Sequence, residues 1–204
     1  MTTDELDVLQ TEYPEISIEE WYEVMDISQE DKDKRIDLAR KLNEVFAWMM
    51  SYVTMCLLLG DEVERDYLVA SLLIRVGDVV PRQTDYISRQ IKKFTGDVVD
   101  TTIEHLNEAY YVSPERQSII AVNEANTLCT ADEMTEAYDN GYTMKTWVTE
   151  HDNHVRKTHR EVEGKTIPID DYFEVGNSRL LFPGDELNGD VEEIANCRCS
   201  LKYS

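Results

Sequence analysis

Apolar residues recur at helical spacing from Asp31 to about Asn140, and after Trp147 that period gives way to short apolar runs separated by Gly, Pro, Asn and Asp. The segment KRIDLARKLNEVFAWMMSYVTMCLLLG predicts one long helix stopped at Gly60. DEVERDYLVASLLIRVGDVV predicts a second, broken near Gly77 to Pro81. A third is marked by Tyr86, Ile87, Ile91, Phe94, Val98, Val99, Ile103 and Leu106, with Gly96 as a candidate kink. Ser113 and Pro114 start a fourth, because Ser caps a helix and Pro suits its first position. That helix runs towards Asn140 and Gly141, with a break expected near Thr130.

Beyond Trp147, Thr149 and Asp152 have the spacing of a capping box, which predicts a helix over 150–163 stopped by Gly164. In such a helix Asp152, Arg156 and His159 stack along one face. KTIPI, DYFEV, RLLF and CRCSLKY then read as small strands and loops, and in a strand the Cys197 and Cys199 sulfurs point to the same side. The expected fold class is α+β: a long-helix N-terminal half, then a small C-terminal domain of mixed helix and short strands. The expected divisions are an acidic arm over 1–30, a helical region over 31–140 and the α+β domain over 141–204.

Residues 1–31 carry no Lys or Arg, and Leu9, Tyr13, Ile16, Ile18, Trp21 and Tyr22 are anchors either for a partner or for the chain's own helices. The run from Val45 to Gly60 is shorter than the ~20 residues that span a bilayer, and Ser51, Tyr52 and Thr54 interrupt it. It is therefore expected to be a buried helix, with Phe46, Trp48, Met49 and Leu57 as candidate partner-binding residues and no membrane span. At 204 residues the chain has enough apolar content for a core, and its formal charge of −22 argues against nucleic-acid binding without a basic patch. The short clusters DKDKR and HVRKTHR are flanked by acids and read as solvated helix faces. Four cysteines, with Cys56 and Cys129 isolated, do not make a disulfide framework, and with an N-terminus lacking a basic or apolar leader they predict reduced thiols and synthesis in the cytoplasm.

Trp147, Thr149, Asp152, Val155, Arg156, His159, Gly164, Phe173, Pro183, Asp185 and Asn196 to Cys199 occur in an order and spacing that resembles the C-terminal domain of the phage Mu F-like minor head proteins. IIAVNEANTLCTADEMTEAYDNGYTMKTW resembles the helix preceding that motif, with Glu124 at a usually acidic position and Asn123 where the family often has Thr. The resemblance spans roughly residues 115–204. It implies a bacteriophage virion component of the inner head or portal vertex, made in the host cytoplasm, present in few copies and oligomeric or multi-copy in the head. Its implied partners are the portal protein and/or the major capsid protein, its implied role head morphogenesis or genome delivery. Some relatives join this domain to a toxin or enzyme domain; the chain stops at Ser204, just after CRC, which predicts no such extension here.

The polar constellation Trp147, Thr149, Asp152, Arg156, His159, Gly164, Asn196, Cys197 and Cys199 admits three chemistries. His159, Cys197 and Cys199 have ligand types suited to zinc, with His154 or an acid completing the set, although the C-x-C bite is tight. His159 beside a cysteine, oriented by Asp152, would be a thiol–imidazole pair in a free-standing enzyme or toxin. The third reading needs neither cofactor nor catalysis: Asp152 caps and pairs with Arg156, Arg156 holds Asp170 or Asp171, and the thiols pack beside a hydrogen-bonded histidine. On that reading the protein is not an enzyme and has no cofactor. A Cys197–Cys199 disulfide is disfavoured by strain.

Overall fold

The computed structural model describes residues 15–204. Helix α1 (Ile18–Glu23) is capped by the Ser17 hydroxyl, and α2 (Gln29–Leu59) by Ser28. Helix α2 ends where expected, at Gly60, whose φ of +73° is the left-handed stop that glycine adopts without a Cβ penalty. Helices α3 (Arg65–Val79) and α4 (Asp85–Glu104) follow; a 3₁₀ turn (Ala109–Val112) then leads into α5 (Pro114–Asp139), with Ser113 as cap and Pro114 at its start. The expected break near Thr130 is absent. Thr130 is instead buried inside a continuous helix, where its hydroxyl accepts from Arg35 Nη2 at 3.3 Å.

Helices α2 and α5 form the main packed pair. One apolar cluster runs from Ile18 through Phe46, Met49, Phe94 and Leu128 to Trp147, Phe173 and Leu201. Ile18, Tyr22 and Met25 lie inside it, so the part of the acidic arm that is described packs on the chain's own helices; Tyr22 donates to Val122 O at 2.6 Å. Leu9 and Tyr13 lie outside the described residues. Helix α2 is long and apolar enough to cross a membrane by length and composition, but its buried face carries Arg35 as well as Phe46, and that face packs on α5.

The C-terminal part holds two small antiparallel sheets. Strand β1 (Met144–Val148) is central in one, between β2 (Thr166–Pro168) and β5 (Ser200–Tyr203); β3 (Phe173–Val175) and β4 (Ser178–Leu180) form a hairpin. The α+β class is as the pattern predicted. Strand β1 was not legible in the sequence, because its alternation is carried by Lys145 and Trp147, both fully buried.

The helix expected over 150–163 shrinks to one turn, α6 (Lys157–Arg160). Asp152 explains the loss. Its Oδ1 accepts from the His154 and Val155 amides at 2.8 and 3.1 Å, a local turn that competes with helical pairing, and His151 just before it has φ +56°. Gly164 therefore ends no long helix; it sits at φ +69° in the return to β2, its amide donating to Trp147 O at 2.9 Å.

Candidate functional site

Trp147, fully buried on β1, is the floor of the site. Its indole meets the Phe173 ring edge-on at 5.1 Å and the His159 ring at 5.5 Å, with planes 89° apart in the second pair. His159 comes from α6. Cys197 and Cys199 come from the segment between the short helix α7 (Val191–Ile194) and β5, not from within a strand as the spacing predicted. Both sulfurs nevertheless converge on the same ring nitrogen: His159 Nδ1 lies 3.4 Å from Cys199 Sγ and 3.6 Å from Cys197 Sγ. All three side chains are buried, and both cysteines are free. These three are a group that could hold a metal ion.

The opposite ring nitrogen, Nε2, lies 3.2 Å from Glu193 Oε2 without the alignment of a hydrogen bond, and Thr158 donates to the same oxygen at 2.8 Å. Hydrogen bonding from Cys199, reinforced by His159 and opposed by burial, holds the Cys197 thiol well below its ordinary range; donation to Cys197 together with burial pushes Cys199 up. Burial disfavours the His159 imidazolium, but the Cys197 contact outweighs it and the net direction is upward.

The remaining motif residues frame this triad differently from the helical reading. Asp152 neither pairs with Arg156 nor orients His159; its Oδ2 accepts from Arg198 Nη2 at 2.7 Å. Thr149 makes no capping box, and its amide donates to Glu163 Oε2 at 2.6 Å. Arg156 donates to the Ala195 carbonyl rather than to Asp170 or Asp171, which ties α6 to the loop bearing the cysteines. Asn196, at φ +54°, is held by Asn123: its amide donates to Asn123 Oδ1 at 2.6 Å, and Asn123 Nδ2 donates to its Oδ1 at 3.1 Å. Asn123 thus has a structural task of its own. His154 is exposed, yet it lines the same cavity of about 330 Å³ as Glu150, Arg198 and both cysteines.

Sequence reasoning gave Asp185 only a place in the motif, and its work emerges from the fold. Fully buried, its Oδ1 accepts from Tyr86 at 2.7 Å and Gln90 at 2.8 Å, and its Oδ2 accepts from the Leu181 amide at 3.0 Å and Asn188 at 2.8 Å. It ties α4 to the C-terminal domain. Glu124 is also buried, its Oε2 without a hydrogen-bond partner, in a second cavity of about 450 Å³ shared with Lys93, Asp97, Arg116 and Glu186. Burial pushes the Glu124 carboxyl well up and Glu186 to about 7.

The candidate partner-binding residues divide by burial. Phe46 and Met49 are fully buried in the chain's own core and present no surface. Trp48 is half-buried beneath Arg75, whose guanidinium carbon lies 4.0 Å from the ring centroid, and Leu57 packs half-buried against the core.

A family described as Phage Mu protein F like protein matches residues 84–202, more than half of the chain. The match starts at the N-cap of α4, the helix that brings Tyr86 and Gln90 to Asp185, so it reaches further upstream than the motif from residue 115 onwards. Among curated proteins, the NAD(+)--arginine ADP-ribosyltransferase EFV of Enterococcus faecalis is 30% identical over 100 residues, 48% of this chain and 20% of that protein. The chain thus spans about a fifth of the length of the curated relative it matches. No solved structure matches it.

Proposed function

The chain belongs to the phage Mu protein F-like family, whose members are phage head morphogenesis proteins, and from that premise we propose that it is a minor head protein that docks on the portal or inner capsid and assists head assembly or genome delivery. It acts by association rather than turnover, in several copies per head. The family match over 84–202 is the observation that carries this reading.

The surface of the helical half supports it. Met55, Leu59, Tyr67 and Ile74 are 52%, 68%, 49% and 65% exposed; Met55 and Leu59 lie in the last turns of α2 and Tyr67 in the first turn of α3. Apolar side chains presented this way mark an association surface, and they replace Phe46 and Met49 as the residues that meet a partner. The surrounding negative charge steers and selects a basic patch on that partner.

Co-expression with the cognate portal protein, followed by size-exclusion chromatography, tests the assignment. Co-elution that is lost in Leu59→Asp but kept in an exposed control such as Lys157→Asp is the expected result. A folded protein that elutes apart from portal and capsid at every salt concentration overturns it.

A further inference from the structure

We propose that His159 Nδ1, Cys197 Sγ and Cys199 Sγ bind one zinc ion, with the fourth coordination position filled by water from the adjoining cavity. The geometry is the first argument. A nitrogen and a sulfur bound to the same tetrahedral zinc at their usual bond lengths stand about 3.6 Å apart. The two nitrogen–sulfur separations here are 3.4 and 3.6 Å, and the ligand atoms of all three residues lie within 4.8 Å of one another. The donor set is the second argument, because one imidazole and two thiolates suit a borderline-soft ion and not magnesium or calcium.

The surroundings complete the case. Metal on Nδ1 requires the proton on Nε2; that nitrogen has no aligned acceptor but lies 3.2 Å from Glu193 Oε2, so a small turn of the carboxylate would complete the carboxylate–histidine–metal arrangement that fixes ring orientation. Thr158 holds the same carboxylate oxygen in place. On the cavity side Glu150 Oε1 is buried without a hydrogen-bond partner and is available to accept from a metal-bound water. The ion would fasten two segments that have little regular backbone pairing, the α6 turn and the Asn196–Cys199 loop, onto the Trp147 floor. Its predicted role is closure of the domain.

The experiment loads reduced, folded protein with zinc, removes excess by gel filtration and measures metal by elemental analysis. About one zinc per chain is expected for three protein ligands completed by water. Cobalt(II) in its place should give near-ultraviolet thiolate-to-metal absorption and the intense visible bands of a tetrahedral site. Cys197→Ser and Cys199→Ser should each lose the metal, while the Cys56→Ser/Cys129→Ser double variant keeps it. If the single variants do not fold, the cobalt spectrum of the native chain decides. A folded, reduced chain that retains no stoichiometric zinc, or a cobalt complex lacking thiolate bands, overturns the proposal and leaves the head-protein assignment untouched.

Discussion

Asn126 Nδ2 donates to the Cys197 carbonyl at 3.0 Å, placing the cysteine loop directly on α5. The same side chain accepts from Arg35 Nε at 2.9 Å, so a buried line of hydrogen bonds runs from α2 through α5 to the candidate metal centre. Arg35 is fully buried, and its Nη2 also meets Glu133 Oε2 at 2.9 Å. Arg35→Ala is expected to destabilise the protein by about 2–4 kcal/mol, because buried Asn126 loses a charged donor and the half-buried Glu133 its ion-pair partner, which water replaces only in part. Asn126→Ala should cost about 1–3 kcal/mol. The two losses should be less than additive in a urea-denaturation double-mutant cycle, since each substitution removes the same bond.

Asp185→Asn tests the second tie. The amide nitrogen would face groups that already donate, so at least one of Tyr86, Gln90, Leu181 N and Asn188 is left unpaired. A loss of about 2–4 kcal/mol is expected by chemical denaturation, from broken bonds to a charged acceptor. A stability within error of the native chain would show that this carboxylate does not bind α4 to the C-terminal domain.

Two groups shifted by burial, one half-buried and one fully buried, give opposite pH dependences. Glu186 is raised from 4.5 to about 7 by burial, with Asp97 and Asp185 adding to the rise and Lys93 opposing it. Its folded form holds the proton longer than the unfolded chain, so its contribution is full below about pH 4.5 and is lost as pH rises through about 7. Glu186→Gln should flatten that part of the stability profile by on the order of 2 kcal/mol. Lys145 is lowered to about 8 by burial, its ammonium donating to Leu181 O at 2.7 Å. Here the unfolded chain holds the proton longer, so stability should rise between about pH 8 and 10.5, and Lys145→Met should abolish the rise in thermal melts at each pH.

The proposed association surface is distinguished from the core by substitution. Leu59→Asp and Ile74→Asp change exposed positions and should leave the melting temperature within a few degrees while weakening partner binding. Phe46→Asp and Met49→Asp place a charge in the interior and should abolish folding. Deleting residues 1–30 removes Ile18, Tyr22 and Met25 from the core, so it is expected to destabilise the whole protein and not merely slow association. Circular dichroism beside each binding measurement distinguishes the two effects.

The sequence by itself determined most of the helical half through signals that act without distant partners: Gly60 in the left-handed conformation ends α2, and Ser113 as cap with Pro114 in the first turn starts α5, whereas the caps Ser28 and Thr84 emerge from the structure and α3 begins without a side-chain cap. It also determined the family, through the order of Trp147, His159 and the closing cysteines, and the α+β class. What only the tertiary structure decided lies after Val148. Asp152 had two local uses, a helix cap or a turn, and Arg198, 46 residues on, supplies the charge partner that accompanies the turn. β2 and β5 pair the backbone of β1 on its two edges, and Trp147 and Lys145 are buried on its face against His159, Phe173 and the Leu181 carbonyl, contacts that no local period announces. Arg35, Asn126 and Asp185 acquire their roles from partners far along the chain, and the spacing of the cysteines could not show that the loop carrying them returns onto His159. Local hydrogen bonding is written in adjacent residues, whereas the burial of a polar group is decided by whatever the fold brings to satisfy it.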